Sequence, residues 1–429
     1  MSGCANRYLK KPETYVEDYK RLINHCIDMR FNGIVIWGFL RDAHGGERYA
    51  EEIARYASDR GVAIMPGIGT TAYGGVYYEG NHPCNLETYL AGKPKFGMMG
   101  ADGKISKREM SPYYLQNQKW LKEAIEWLCN NFSIGGVNLE NGDFLVDHSL
   151  AGKKGRAKIK SHEEDYFKDQ YFAYKTALEV IDKLMPDGWN TYATYSGFSM
   201  ANKTGNPASS SRHKPYFSDK MPDSAIAQWT LTGMLLQSPV PLRTWLDSPA
   251  PAAIYENKQW PKGLIAPTPR SCGFIHQASQ WTGVRRSMVA ISTFAEGCLR
   301  GYESKLEGIS IHGEVTSRTL CWKLNYLAMR HWTYHPYSTL IDFANAELAN
   351  RVGGRKEARQ FVESLCEIEE KADYTKFREK ISTMMNSFYP WNYPARGELS
   401  IWSMWQELDE WFRFRIMENN GLRGVTDIL

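Results

Sequence analysis

In the run GGVNLENGD, Asn138 and Glu140 stand two residues apart, and along an extended strand that spacing puts both side chains on one face. A carboxylate at the end of an apolar strand, just after a Gly-Gly pair, is costly to bury without a task. In an apolar pocket it would keep its proton and serve as a general acid for a leaving oxygen; as a solvated first loop residue it would be inert. The turn Asn141-Gly142-Asp143 follows. A second pair, His312 and Glu314 in GISIHGEVTS, repeats the same-face spacing. Two carboxylates from different strands are the equipment of glycosidic-bond cleavage. Glu314 is open to three roles: nucleophile, orienting residue, or structural partner of a helix end or an arginine.

For these groups to meet, the chain must carry them at the ends of neighbouring parallel strands, and its segment order provides for that. Short apolar runs alternate with helix-period stretches: GIVIWGF (33–39), VAIMPGIG (62–69), a short stretch near 108–111, IGGVNL (134–139), WNTYATYSG (189–197), AIAQWTL (225–231), GFIHQAS (273–279) and GISI (308–311). Eight such units predict an α/β fold, a (β/α)8 TIM barrel over 1–315, in which reactive residues sit at the C-terminal strand ends. From Thr316 onward the pattern is helical, predicting a helical layer over 316–429. The strand ends then offer Trp37, Arg41, Tyr73, Asp143, Tyr195, Trp229, Gln277, Trp281 and His312 as ligand contacts. Flat rings and neutral hydrogen-bonding groups suit a polyhydroxylated ligand such as an oligosaccharide. The Gly- and Tyr-rich stretch from Thr70 to Met110 reads as an elaborated loop over that end.

Composition removes other classes. With 52 basic against 48 acidic residues, the net charge of +4 gives no nucleic-acid footprint. No long apolar run predicts a membrane span, so the chain as given is expected to be soluble, cytoplasmic as it stands or secreted if an export signal has been trimmed. The eight cysteines lack CxxC or Cys/His spacing and read as buried thiols. No cofactor and no metal are expected, because His44, His82, His276 and His312 show no His-x-His or carboxylate-rich ligand spacing. Oligomeric state is not encoded in any motif.

The segments FNGIVIWG, GGVNLENGD and LNYLAMRHWTYHP resemble barrel glycosidases of the family 20-like group and relatives acting on N-acetylhexosaminides and uronides. The spacing Asn138-x-Glu140 is similar to the Asn-x-Glu of family 85 endo-hexosaminidases and to the last Asp-x-Glu of family 18 chitinases. That resemblance implies that Glu140 protonates the leaving sugar while Asn138 orients the substrate's own acetamide as nucleophile. The adjacent Asp-Glu pair of family 20 is absent here. Three alternatives stand beside this reading: a two-carboxylate glycosidase on neutral or uronic sugars with Glu314 as nucleophile or base, a metal-dependent isomerase or lyase, and a barrel that only binds glycans.

Overall fold

The computed structural model describes residues 2–3, 12–141, 145–160, 165–193, 221–232, 241–249, 270–275, 289–311, 320–370, 373–387 and 399–419. Its strands are β1 (Ser2–Gly3), β2 (Gly33–Trp37), β3 (Ala63–Gly69), β4 (Gly97–Met99), β5 (Ile105–Met110), β6 (Gly136–Glu140), β7 (Trp189–Ala193), β8 (Ala225–Thr232), β9 (Ser271–Ile275) and β10 (Ile309–Ile311). Two compact units form: Met1–Thr230 with Ile265–Phe274 and Lys305–Val315, and Leu231–Leu264 with Ile275–Ser304 and Thr316–Leu429.

In the first unit, an eight-stranded sheet runs in the order β1-β2-β3-β6-β7-β8-β9-β10. The pairings from β1 through β8 are parallel, and backbone bonds such as Gly273 N–H to Gly308 O (2.8 Å) carry the ladder onward to β10. Such strands are covered on both faces, which is why GIVIW and IGGVNL are almost continuously apolar. Helices supply the cover. In α1 (Pro12–Asp28), Tyr15, Tyr19, Leu22, Ile23 and Cys26 are buried along one stripe, and Pro12 opens the helix where its missing N–H costs nothing. In α2 (Gly46–Ser58) the stripe is Ala50, Ile53, Ala54 and Ala57. Gly61, with φ +70°, then turns the chain into β3. Two short helices, α3 (Leu86–Gly92) and α5 (Leu150–Arg156), are capped by Asn85 and Ser149, and of two longer ones, α4 (Leu115–Asn131) and α6 (Asp165–Leu184), which pack on each other, α6 also meets β7.

One expected strand is misplaced. The stretch near 108–111 does not enter the parallel sheet; it belongs to β5, which pairs antiparallel with β4 in a separate hairpin, and β6 pairs directly with β3. The sequence ISKREM explains this, because its charged residues are largely exposed and a central parallel strand would have to bury them. The remaining place in the sheet is taken by Ser2–Gly3, in register with Val35 and Ile36. The region 70–110 also holds more regular structure than its glycine content suggested, namely α3 and the hairpin.

The second unit is largely helical among its described residues: α7 (Ile291–Glu303), α8 (Leu320–Tyr334), α9 (340–352, with a π turn at Ala344–Leu348), α10 (Arg355–Glu369), α11 (Tyr374–Ser387) and α12 (Leu399–Asn419). Its core is aromatic, with Phe294, Trp332, Phe343, Phe361 and Trp405 fully buried. Thr339 and Asp342 form a capping box at the start of α9, and Gly353 (φ +113°) ends it. No helix among the described residues is long and apolar enough to cross a membrane.

Candidate active site at the strand ends

Register aligns the side chains of one sheet face in rows. Trp37, Gly67, Asn138, Thr191 and Ile226 are mutual partners across β2, β3, β6, β7 and β8. One pleat further toward the C-terminal ends, Gly69 pairs with Glu140, and Ala193 with Gln228. The two glycines shape what lies beside Glu140. A methyl group on Gly67 would collide with the Trp37 indole, so that ring fills the space a side chain would take, on the flank of β6. A methyl on Gly69 would collide with the Ala72 carbonyl and reach the Tyr73 Cβ, so the chain leaving β3 folds back over the position next to Glu140.

Tyr73 itself has φ +52°, a left-handed conformation uncommon for a residue with a side chain, and its ring is 39% exposed. It meets Trp37 edge-on at 5.8 Å between centroids, and Tyr78 also meets Trp37 edge-on, at 6.4 Å. Glu140, half-buried, thus stands beside an aromatic wall from two neighbouring strand ends. Its carbonyl accepts the Thr70 N–H at 2.9 Å, and Thr71 bonds the Asn141 side chain, so the backbone around the carboxylate is tied to the β3 end.

Asn138 is buried and its Nδ2 donates to Thr191 Oγ1 at 2.8 Å. The Thr191 hydroxyl in turn donates to the Val137 carbonyl at 3.3 Å, which makes its oxygen an acceptor for the amide and fixes which end of Asn138 faces it. The Asn138 Oδ1 is then the end left to accept from an N–H. Sequence reading missed Thr191 and Gln228, although alternation in WNTYA and AIAQW marks both as polar positions on the face of an otherwise apolar strand.

Behind the site lies a buried polar network. Asp147 accepts from the backbone N–H of Met99 (3.1 Å) and Ser149 (3.0 Å) and from the hydroxyls of Ser111 and Ser149. Its own N–H donates to Asp169 Oδ2 at 2.8 Å. Arg156 reaches both Asp169 oxygens, at 3.0 and 2.9 Å, and Tyr113 donates to Asp169 at 2.6 Å. Burial pushes the Asp169 pKa up against the pull of these donors. Through Met99 and Ser111 the network ties the β4–β5 hairpin to the segment that follows β6.

Arg41 is buried, ion-paired with Glu79, and 5.8 Å from the Tyr78 ring, so it braces the loop after β3. Trp229 belongs to β8, with its side chain outside the described residues; Asp143, Tyr195, Gln277, Trp281, His312 and Glu314 also lie outside them. Of the histidines considered as ligands, His44 stacks on Tyr15 and bonds the Gly38 carbonyl, while His82 stacks on Tyr77 and bonds Glu47. His276, like His312, lies outside the described residues. Among the described residues no group of three His, Cys, Asp or Glu is placed to hold a metal ion.

No protein-family model and no curated protein matches the chain. Solved structures similar to it include the β-N-acetylhexosaminidase of Bacteroides fragilis NCTC 9343, at 15% identity, TM-score 0.33, covering 53% of this chain and 45% of that one. A GH20 exo-β-N-acetylglucosaminidase from Vibrio harveyi in complex with N-acetylglucosamine aligns at 10% identity and TM-score 0.44, over 82% of this chain and 55% of that one. The β-galactosidase of the psychrophilic Marinomonas ef1 aligns at 11% identity and TM-score 0.41, over 88% and 61%. The chain thus spans about half the length of the two hexosaminidases. None of the three carries a residue role over to this chain.

Proposed function

We propose that the chain is a glycoside hydrolase, a closed (β/α)8 barrel over 1–315 with a helical extension over 316–429, in which Glu140 is the general acid. The observation that carries the reading is the position of Glu140: last residue of a parallel strand, half-buried, beside Gly69 and the Trp37–Tyr73 wall. An aromatic wall stacks a sugar ring, and a carboxyl group at its edge can hand a proton to the glycosidic oxygen. Asn138, held by Thr191 with Oδ1 turned away from it, suits the acetamide-assisted route, since that oxygen can accept the acetamide N–H of an N-acetylhexosaminide. Glu314, three residues after the end of β10 in the sequence, is the nucleophile or base of the alternative two-carboxylate route. Arg41, Tyr73, Asp143, Tyr195, Trp229, Gln277, Trp281 and His312 remain the proposed sugar contacts.

Aryl glycosides of N-acetylglucosamine, N-acetylgalactosamine, glucuronic acid and galactose test the reading. Turnover of one of them that withstands a chelator supports it. Loss of activity with chelator would instead favour the metal-dependent isomerase or lyase chemistry. Glycan binding without any turnover would make the barrel a binding module.

A further inference from the structure

Partners in a parallel ladder point to the same side of the sheet, so register tells which side chains share a row. Asn138 pairs with Thr191 and Leu139 with Tyr192, and continuing by one residue sets Glu140 beside Ala193. Ala193 pairs in turn with Gln228, and on its other flank Glu140 pairs with Gly69. The row at the C-terminal edge of β3, β6, β7 and β8 is therefore Gly69, Glu140, Ala193 and Gln228. Two of these four are too small to fill the space over them. Glu140 and Gln228 stand two strand spacings apart, roughly 10 Å along the sheet, with only the Ala193 methyl group between them. Glu140 and Ala193 are half-buried, whereas Asn138 and Thr191 in the row beneath are buried, so the sheet opens toward its C-terminal side at the level of the carboxyl group.

Gln228 is a buried amide, 7% exposed, that follows the apolar residues Ala225, Ile226 and Ala227 on the strand. Its Nε2 reaches across β9 and donates to the Ser310 Oγ of β10 at 3.5 Å. The Ser310 hydroxyl donates to the Gly273 carbonyl at 3.2 Å, so its oxygen is the acceptor, and that fixes the turn of the Gln228 amide. Thr191 and the Val137 carbonyl hold the Asn138 amide by the same device. A buried amide is costly where packing alone is needed. Two of them, each set by a hydroxyl, lie on one sheet face, one in the row of Glu140 and one in the row beneath. An amide both donates and accepts, which matches the hydroxyl groups of a sugar.

We infer that the sugar unit held for cleavage lies over Ala193, between the Glu140 carboxyl group and the Gln228 amide, with Gln228 hydrogen-bonded to a ring hydroxyl. This inference rests on the glycosidase reading of Glu140 and adds to it the residue that fixes the position of the sugar. The aryl glycoside that the wild type cleaves, and analogues of it each lacking one hydroxyl, test it in steady-state kinetics with Gln228→Met and Ala193→Leu alongside. Gln228→Met keeps the length of the side chain and removes both hydrogen-bonding ends, so KM rises about three- to tenfold with kcat little changed. The wild type is weakened by a similar factor on one deoxy analogue, and on that analogue Gln228→Met loses nothing more, since the bond is already gone. Ala193→Leu fills the gap from a half-buried position and lowers kcat/KM about tenfold or more while the melting transition is kept.

A Gln228→Met variant that loses the same factor on the parent glycoside and on every deoxy analogue makes Gln228 a structural link between β8 and β10, and overturns the inference. Wild-type kcat/KM in Ala193→Leu overturns it too, and carries the test by itself if Gln228→Met does not fold. Either result, with the wild type still turning over, leaves the glycosidase reading in place. A wild type that cleaves none of the glycosides refutes that reading, and this inference with it.

Discussion

Replacing Arg156 by Met removes the cation that, among the described residues, pairs with the buried Asp169 carboxylate, and leaves that group's hydrogen bonds from Tyr113 and the Asp147 N–H in place. Arg156 Nη1 lies 3.0 and 2.9 Å from the Asp169 oxygens and 2.8 Å from the Asp147 carbonyl, and its Nε lies 3.2 Å from Asp165. Breaking one side of such a buried pair costs about 3–5 kcal/mol, mostly because the remaining charge is stranded. For a unit of this size about 2 °C is lost per kcal/mol, so the melting transition of the sheet unit should fall by roughly 6–10 °C. Burial already raises Asp169, and losing Arg156 removes one of the groups holding it down, so its folded pKa rises further. A carboxyl group raised above its unfolded value of about 3.9 contributes its full stability below that pH and loses it as pH climbs through the folded value. The variant's deficit is therefore smallest near pH 4 and grows toward neutrality. Thermal melts by circular dichroism across that range are the assay, with Arg156→Met/Asp169→Leu as the companion. The double variant should recover most of the loss, since no charge is stranded. A single variant that melts within about 2 °C of wild type at pH 7, or a double variant no better than the single, would refute the reasoning.

Two further outcomes follow from local geometry. Gly67→Ala forces the Trp37 indole to retreat by roughly 1 Å to reach ordinary contact, so it should raise KM for the glycoside several-fold more than it lowers kcat, at about 1–3 kcal/mol of stability; steady-state kinetics with a urea titration would expose an unchanged KM as the failure. Burial pushes the thiols of Cys84 and Cys129 up to about 11 and those of Cys26 and Cys298 to about 12. Alkylation by iodoacetamide at about pH 8 should therefore be about a hundredfold or more slower for the native chain than for the unfolded one, and rapid native labelling at any of the four, mapped by mass spectrometry, would contradict their burial.

Much of the parallel sheet was legible because a strand buried on both faces must be continuously apolar, and GIVIW, AIMPGIG and GVNL are. The helices announced themselves by stripes such as Tyr15, Tyr19, Leu22, Ile23 and Cys26. The hairpin was mistaken for a barrel strand because six extended residues look alike in isolation; what separates ISKREM from a central strand is the charge it carries outward. Ser2–Gly3 was invisible, since two residues with no hydrophobic pattern join the sheet through backbone bonds alone. In the site, same-face spacing foretold that Asn138 and Glu140 share a row. It could not foretell that Gly67 and Gly69 make room for Trp37 and Tyr73, because that depends on which strands are neighbours. The Asp147–Asp169–Arg156 network escaped notice for the same reason: its members lie 9 to 22 residues apart and meet only through the fold.

The most direct test of the central claim is the turnover of Glu140→Gln on a natural glycan and on an activated aryl glycoside. The change keeps the shape of the side chain and removes its ability to carry the proton. With Glu140 as general acid, turnover of the natural glycan falls by about a hundred- to ten-thousand-fold, while the aryl substrate, whose leaving group needs little protonation, loses far less. Wild-type activity of Glu140→Gln on the natural glycan, with the fold intact by circular dichroism, would contradict the account.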